Sequence, residues 1–283
     1  MNYSLLDNHS SQPKEFRNEL LDIMRGIAIL IVILGHALQG THGGEVGDDL
    51  HRFILTFQME LMFAISGFSA VYSKKRTLAD AVKRHLLRLG LPCLAWVWIF
   101  YLAEAIVGIK SWTMADAFGC VIISGFWFLR QLLLIYLAFE VYRHSGPISG
   151  ILAGTLTLFA FACIPGQETL VHYAVWFVVG VVVHELWRYF LPNTEICNPL
   201  PRRLSVPLIW CGRNSLALYA VHWNIFFVFI SCYLIDFSKI IEMSFPVAAF
   251  LMFALFTGGS VLLINMAKKF PLLPQLLFGE DWK

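Results

Sequence analysis

The sequence predicts an all-α fold: a polytopic transmembrane bundle of about eight helices, with a range of eight to ten, and both termini in the cytoplasm. Composition is the first reason. Hydrophobic residues make up 58% and charged residues 14% of the 283, with a mean hydropathy of +0.67, against about 45–50% and about 25% in soluble domains. An ordinary soluble protein is excluded. The second reason is a series of apolar runs near helix length, at 22–40, 53–73, 86–108, 118–141, 147–164, 169–189, 206–235 and 244–267. The third is that the connections alternate in basic character. The 73–86 loop holds Lys74, Lys75, Arg76, Lys83 and Arg84, and the 189–206 loop holds Arg202 and Arg203. The intervening loops carry Glu45, Asp48 and Asp49 against Arg52, then Lys110 and Asp116, then Asp236, Lys239 and Glu242. Basic loops stay inside.

These runs fill a single domain, 1–283, with a polar tail at 1–20 and no soluble C-terminal module. The tail holds Lys14, Glu15, Arg17 and Glu19. Because the first apolar run begins late and follows acids, it reads as a retained span rather than a signal peptide. The six cysteines, Cys93, Cys120, Cys163, Cys197, Cys211 and Cys232, show no CxxC pair and no metal-ligand spacing, so they read as packing residues and no metal is expected. The net charge of +2 says little by itself, because in a membrane protein the distribution of charge matters more than the sum; no nucleic-acid partner is expected.

In the first span, Leu21 to His36 reads LDIMRGIAILIVILGH. At 100° per residue, the eleven positions from Arg25 to His36 return to within about 20° of the starting direction and advance roughly 16 Å. Both side chains therefore lie on one stripe, one near a surface and one deep. Taken alone, Arg25 also fits a flanking charge that sets orientation, and His36 a bundle histidine bonded to a neighbouring carbonyl.

The second span contains FQMELMFAISGF, Phe57 to Phe68. It runs the opposite way, which puts Glu60 at a depth close to that of His36. A carboxylate in hydrocarbon calls for a cavity or an ion pair, so Glu60 either orients His36, pairs with a buried arginine or holds two helices together. Ser66 and Gly67 suit close helix approach. The third span opens with KRHLLRLGLP, Lys83 to Pro92, where Lys74, Lys75 and Arg76 just upstream serve as anchors. Arg88 falls within the apolar span and offers a forked donor to a phosphate.

The fourth span holds GFWFLRQLLLIY, Gly125 to Tyr136. Arg130 sits near its middle, where insertion costs about 2.5–3.5 kcal/mol, so it needs a partner in Glu60 or in an anionic group of a ligand. Trp127 is a candidate pocket wall. In the next two spans His172 lies at the outer edge, with His184 and Glu185 at the inner one, and the loop from Leu191 to Pro207 is a connection. The seventh carries CGRNSLALYAVHW, Cys211 to Trp223, with Asn214 and Ser215 positioned to cap a helix start. Tyr219 and His222, three apart, share a face. The eighth has a small-residue patch, Gly258 to Ser260, and closes on Lys268 and Lys269.

Five of these stretches resemble the membrane acyltransferase 3 family, bacterial enzymes that put acyl groups on cell-surface glycans. Arg25, ten residues and His36 resemble its first-helix signature. FQMELMFAISGF is similar to its F-H-M-P-L-F-F-x-x-S-G-F stretch, with Gln58 in place of His and Glu60 in place of Pro. Lys83 to Pro92 resembles its Arg-x-x-Arg and Pro motif, with His85 at the first Arg position and Arg84 one off. Trp127 to Leu129 is similar to its Trp-Phe-Leu stretch, and Cys211 to Trp223 resembles its G-x-N-S-L-x-x-Y-x-x-H.

The resemblance implies an O-acyltransferase of the bacterial cytoplasmic (inner) membrane that moves an acetyl or other short acyl group from acyl-CoA. The acceptor is a hydroxyl of a cell-surface glycan or its lipid-linked precursor. His36, Arg25 and Glu60 are then catalytic, with His36 as general base. Arg25, Arg84, Arg88, Asn214 and Ser215 bind acetyl-CoA, while Arg130, Trp127, Tyr219 and His222 line the substrate. By depth these groups form a column, which predicts a water-accessible passage through the bilayer. Acyl-CoA, the glycan and the lipid bilayer are the expected partners, with the oligomeric state open and a homodimer among the options. Two other readings stand beside this one. A saccharide or small-acid exporter would be expected to show paired halves, and the first-span pattern has no second copy. A catalytically silent partner of a polysaccharide export system would tolerate loss of His36.

Overall fold

The computed structural model describes residues 19–41, 44–73, 76–107, 113, 126–190, 200–227 and 244–280. Among them every regular element is helical: α1 (Glu19–Gln39), α2 (Gly44–Leu55), α3 (Gln58–Ala70), α4 (Leu78–His85), a π-turn (Leu86–Gly90) and α5 (Leu91–Val107). Then follow α6 (Trp127–His144), α7 (Pro147–Ala162), α8 (Leu170–Phe190), α9 (Arg202–Arg213), α10 (Ser215–Val221), α11 (Phe245–Ala267) and α12 (Leu273–Phe278). The calls on the 1–18 tail, Lys74, Lys75, Lys110, Asp116, Cys120, Cys197, Cys232, 118–125, 228–235 and the loop residues Asp236, Lys239 and Glu242 fall outside the described residues.

Among the described residues, five helices are long and apolar enough to cross a membrane: Glu19–Gln39, Asp48–Ala70, Leu78–Leu102, Leu170–Phe190 and Phe245–Ala267. Two shorter apolar helices are Ile148–Ala162 and Ser215–Phe227. Local chemistry explains where the boundaries depart from expectation. The third span starts at Leu78 rather than 86, because Thr77 Oγ1 accepts from the Asp80 amide at 3.2 Å and donates to its carboxylate at 2.7 Å, a cap that closes the first turn. The seventh starts at Arg202 and absorbs Pro207 inside α9 instead of leaving it in a loop. The second is interrupted at Thr56 and Phe57, between α2 and α3.

Helices in lipid gain no hydrophobic driving force from each other and associate through close packing, which small residues permit. Two crossings depend on this. A Cβ at Gly26 of α1 would lie 2.1 Å from Leu208 O of α9, and one at Gly212 of α9 would lie 1.7 Å from Asp22 O of α1. The same pattern joins α3 to α8, where added carbons at Gly67 and Gly180 would meet Phe177 O at 1.9 Å and Ala64 O at 1.8 Å. Gly67 is thus a packing residue, as its type suggested. α1 packs against α2, α3, α9, α10 and α11, and Ile29, Ile33, Phe63, Leu129, Leu218 and Phe256 form the solvent-free centre around it. Helix α12 folds back beneath α5 and α10, with Trp96 Nε1 donating to Leu277 O at 2.9 Å.

Substituting valine at Gly212 forces α1 and α9 apart, and overpacking of this kind costs about 1–3 kcal/mol or more. Gly212→Val is expected to lower the melting temperature of detergent-solubilised protein, read by fluorescence-detected gel filtration. Gly258→Ala is expected to leave it unchanged, because nothing lies within 4 Å of its added carbon. Equal melting temperatures for the two variants would refute the crossing.

Candidate functional site

At the Arg25 end of the bundle, α1, α3, α4, α6, α9, α10 and α12 enclose a cavity of about 820 Å³. Its walls include all five residues assigned to the acyl donor from sequence: Arg25, Arg84, Arg88, Asn214 and Ser215. A smaller hollow of about 300 Å³ adjoins it and shares Arg76, Arg84, Arg88 and Glu280.

Arg25 reaches this wall because Asp22, one turn earlier on α1, anchors the crossing. The buried Asp22 carboxylate lies 3.6 Å from Arg25 Nη1 and accepts from Arg213 Nε of α9 at 2.9 Å. Tyr136 of α6 stands in the middle of the cations. Its ring stacks on His85 at 4.6 Å, its hydroxyl donates to Ser66 O at 3.3 Å, and Arg25, Arg84 and Arg88 all act on it electrostatically. One turn on, the buried Glu140 carboxylate lies 3.4 Å from His85 Nε2 and accepts from Arg143 Nη1 at 3.3 Å. Arg143 also donates to Ser73 Oγ at 2.7 Å and Ser73 O at 3.1 Å. At the exposed helix end both nitrogens of His144 face backbone carbonyls, Arg76 O at 2.8 Å and Glu140 O at 2.7 Å, which raises its pKa.

Asn214 does not cap a helix, which corrects the expectation. It bridges the α9–α10 break: Nδ2 donates back to Trp210 O at 2.7 Å, and Oδ1 accepts from Lys268 Nζ at 2.5 Å. Lys268 in turn meets Glu280 Oε1 at 2.7 Å. Tyr136, His85, Glu140, Asp22, Lys268 and Glu280 were not singled out as site residues from sequence. The signals were there in part: Asp22 and Arg25 are three apart and Tyr136 and Glu140 four apart, spacings that share a helix face.

His36 lies elsewhere. Its Nδ1 is 3.2 Å from Gln39 Oε1, and its ring packs against Trp223 at 4.4 Å, Phe227 at 5.2 Å and His222 at 5.4 Å between centroids. Among the described residues it does not line the cavity that holds Arg25. A plug of rings lies between that cavity and His36: Phe128, on the cavity wall, packs on Tyr219 at 5.0 Å, and Tyr219 on His222 at 6.0 Å. Gln58 Oε1 fills the space beside Gly35, 2.7 Å from where a Cβ would stand.

Glu60 neither orients His36 nor pairs with Arg130. It turns toward α8 and meets His172 Nε2 at 3.0 Å, because α3 and α8 are the helices that interlock there. Arg130 finds a backbone partner instead, donating from Nη2 to Gly166 O at 3.2 Å. Trp127 packs on Tyr173 at 5.3 Å and lines neither cavity. His184 is buried between the rings of Phe68 and Tyr72 and lies 3.3 Å from Glu185 Oε1.

No curated protein and no solved structure matches the chain. The family model described as an acyltransferase domain matches residues 18–196, which takes in α1 to α8 and leaves α9 to α12 outside the match. With Arg25, His36, Arg84 and Arg88 inside a match that covers well over half of the chain, and with several helices fit to cross a bilayer, the chain is a multi-pass membrane protein that belongs to the acyltransferase 3 family.

Proposed function

We propose that this acyltransferase moves an acetyl or other short acyl group from acyl-CoA in the cytoplasm to a hydroxyl of a cell-surface glycan or its lipid-linked precursor, at the bacterial inner membrane. The observation that carries the reading is the cavity at the Arg25 end. Three arginines, Arg25, Arg84 and Arg88, converge there with Asn214 and Ser215. Phosphates are bound by such forked donors through charge-assisted bonds, and a cavity of about 820 Å³ falls in the size range of small-molecule sites. Arg76, Lys83, Arg84 and Lys268 gather at the same end, which supports placing it in the cytoplasm, with eight spans and both termini inside.

His36 serves as the base. With Nδ1–H donating to Gln39 Oε1, the lone pair sits on Nε2. Nε2 takes the proton of the acceptor hydroxyl as its oxygen attacks the thioester carbonyl, the tetrahedral intermediate collapses with cleavage of the C–S bond, and the departing thiolate recovers a proton. Phe128 and Tyr219 stand between the donor cavity and His36, so the acyl arm reaches the imidazole only when those rings swing aside. Arg25, Arg84 and Arg88 hold the phosphates while it does. Glu60, Arg130 and Trp127 lie on the α3–α6–α8 side and fit the approach of the acceptor rather than proton transfer.

Membranes carrying the protein are expected to transfer label from acetyl-CoA to glycan. His36→Ala should reduce this by about 10²–10⁴-fold, the usual cost of losing a general base, and Arg25→Ala should also reduce it. Wild-type transfer in both variants would end the reading. Arg88→Ala is expected to raise KM for acetyl-CoA by about 10–100-fold, the equivalent of one charged hydrogen bond, with kcat little changed. A KM equal to that of the wild type would remove Arg88 from the donor site.

A further inference from the structure

His222 is one of the most enclosed polar groups in the bundle, with no exposed surface at all. Its Nδ1 lies 2.6 Å from Leu218 O. A carbonyl oxygen only accepts, so Nδ1 carries the hydrogen and Nε2 is left as a bare lone pair. That Nε2 is buried and has no hydrogen-bond partner in the structure. A buried acceptor without a partner costs about 1–3 kcal/mol, and such groups are rare enough in native proteins to ask for a reason. The helix also changes its winding at this residue: 222–227 follow α10 as a π-helix, a form that recurs at functional sites.

The location supplies the reason. The His222 ring stands 5.4 Å from that of His36 and 6.0 Å from that of Tyr219, which in turn packs on Phe128 at the end of the donor cavity. His222 is therefore the imidazole between His36 and the arginine cavity. Two imidazoles with an N···N bond of about 2.9 Å have ring centres little closer than these, so a small ring rotation or one water joins them.

We propose that His222 is a proton relay for His36, a deepening that rests on the reading of His36 as general base. His36 Nε2 takes the proton from the acceptor hydroxyl and becomes imidazolium. It passes that proton to Nε2 of His222, whose Nδ1–H stays on Leu218 O, so the charge moves to His222 and His36 returns to its neutral form. The His222 imidazolium then gives the proton to the coenzyme A thiolate released beside the two rings. One proton leaves the alcohol and one reaches the thiol. No other reactant is needed.

The test uses the full-length protein in membranes, with single-turnover transfer from acetyl-CoA. His222→Phe keeps an aromatic ring in the buried site and removes both nitrogens. It is expected to lower the transfer rate by about 10²-fold or more while leaving KM for acetyl-CoA unchanged. In mixtures of light and heavy water the wild type is expected to give a curved rate dependence, because the successive proton hand-offs both contribute to the observed rate. That second measurement holds even if His222→Phe fails to fold. A wild-type rate in His222→Phe, a loss confined to KM, or a linear dependence in the wild type would each overturn the relay. Transfer lost in His36→Ala but kept in His222→Phe sinks the relay and leaves the base reading standing. No transfer by the wild type sinks both.

Discussion

The contact between α1 and α9 is the constraint on which the rest of the molecule depends. Gly26 and Gly212 let the two backbones touch, and that closeness puts Asp22 within 2.9 Å of Arg213. Without side chains at those two positions the crossing can also bring Arg25 of α1 opposite Asn214 and Ser215 at the start of α10. A spacing wider by one methyl group would separate the two walls of the arginine cavity, so the cavity is set by what is missing from two residues as much as by the arginines themselves. The second glycine crossing, between α3 and α8, fixes the other side of the bundle and decides where Glu60 points.

Charge inside a membrane protein is costly unless it is answered locally, and the cavity shows how the answers are distributed. Asp22 offsets Arg25 and Arg213 from the α1 wall, and Glu140 offsets Arg143 and His85 from the α6 wall. Glu280, after α12, answers Lys268 from below. Asp22, Glu140 and Glu280 line the cavity beside Arg25, Arg76, Arg84, Arg88 and Arg213, so the positive groups outnumber them. That arrangement fixes the arginines in place and leaves the cavity basic, which is the electrostatic condition for holding a polyphosphate group.

Much of this was legible in the sequence, for reasons that differ between residues. The helical class follows from composition, and the grouping of Arg25, Arg84, Arg88, Asn214 and Ser215 came from motifs that fall in one cavity. The partner of Glu60 was not legible, because depth along a helix is readable from residue counting and the neighbour across the interface is not. Counting put Glu60 level with His36, but the α3–α8 crossing turned it to His172. Asn214 misled for a related reason. A residue at a helix break looks like a cap until a cation from a distant span, here Lys268, takes its carbonyl oxygen. The ring plug was invisible for a third reason: aromatic residues are 15% of the chain, so nothing marked Phe128 and Tyr219 as the pair that would meet.

The plug also bears on why a transferase would keep its two sides apart. Water that reached a bound thioester beside a competent base would hydrolyse it, and a bundle with a continuous polar passage would invite that loss. In this structure His36 sits against His222, Trp223 and Phe227, and Phe128 stands on the wall of the arginine cavity. Exclusion of water also strengthens each electrostatic contact that remains. An acyl arm that displaces Phe128 and Tyr219 would restore the seal with its own apolar surface. The reactive carbonyl would then meet the imidazole pair only while the donor fills the gap, and the separation of Arg25 from His36 becomes a way of making transfer depend on a correctly held donor.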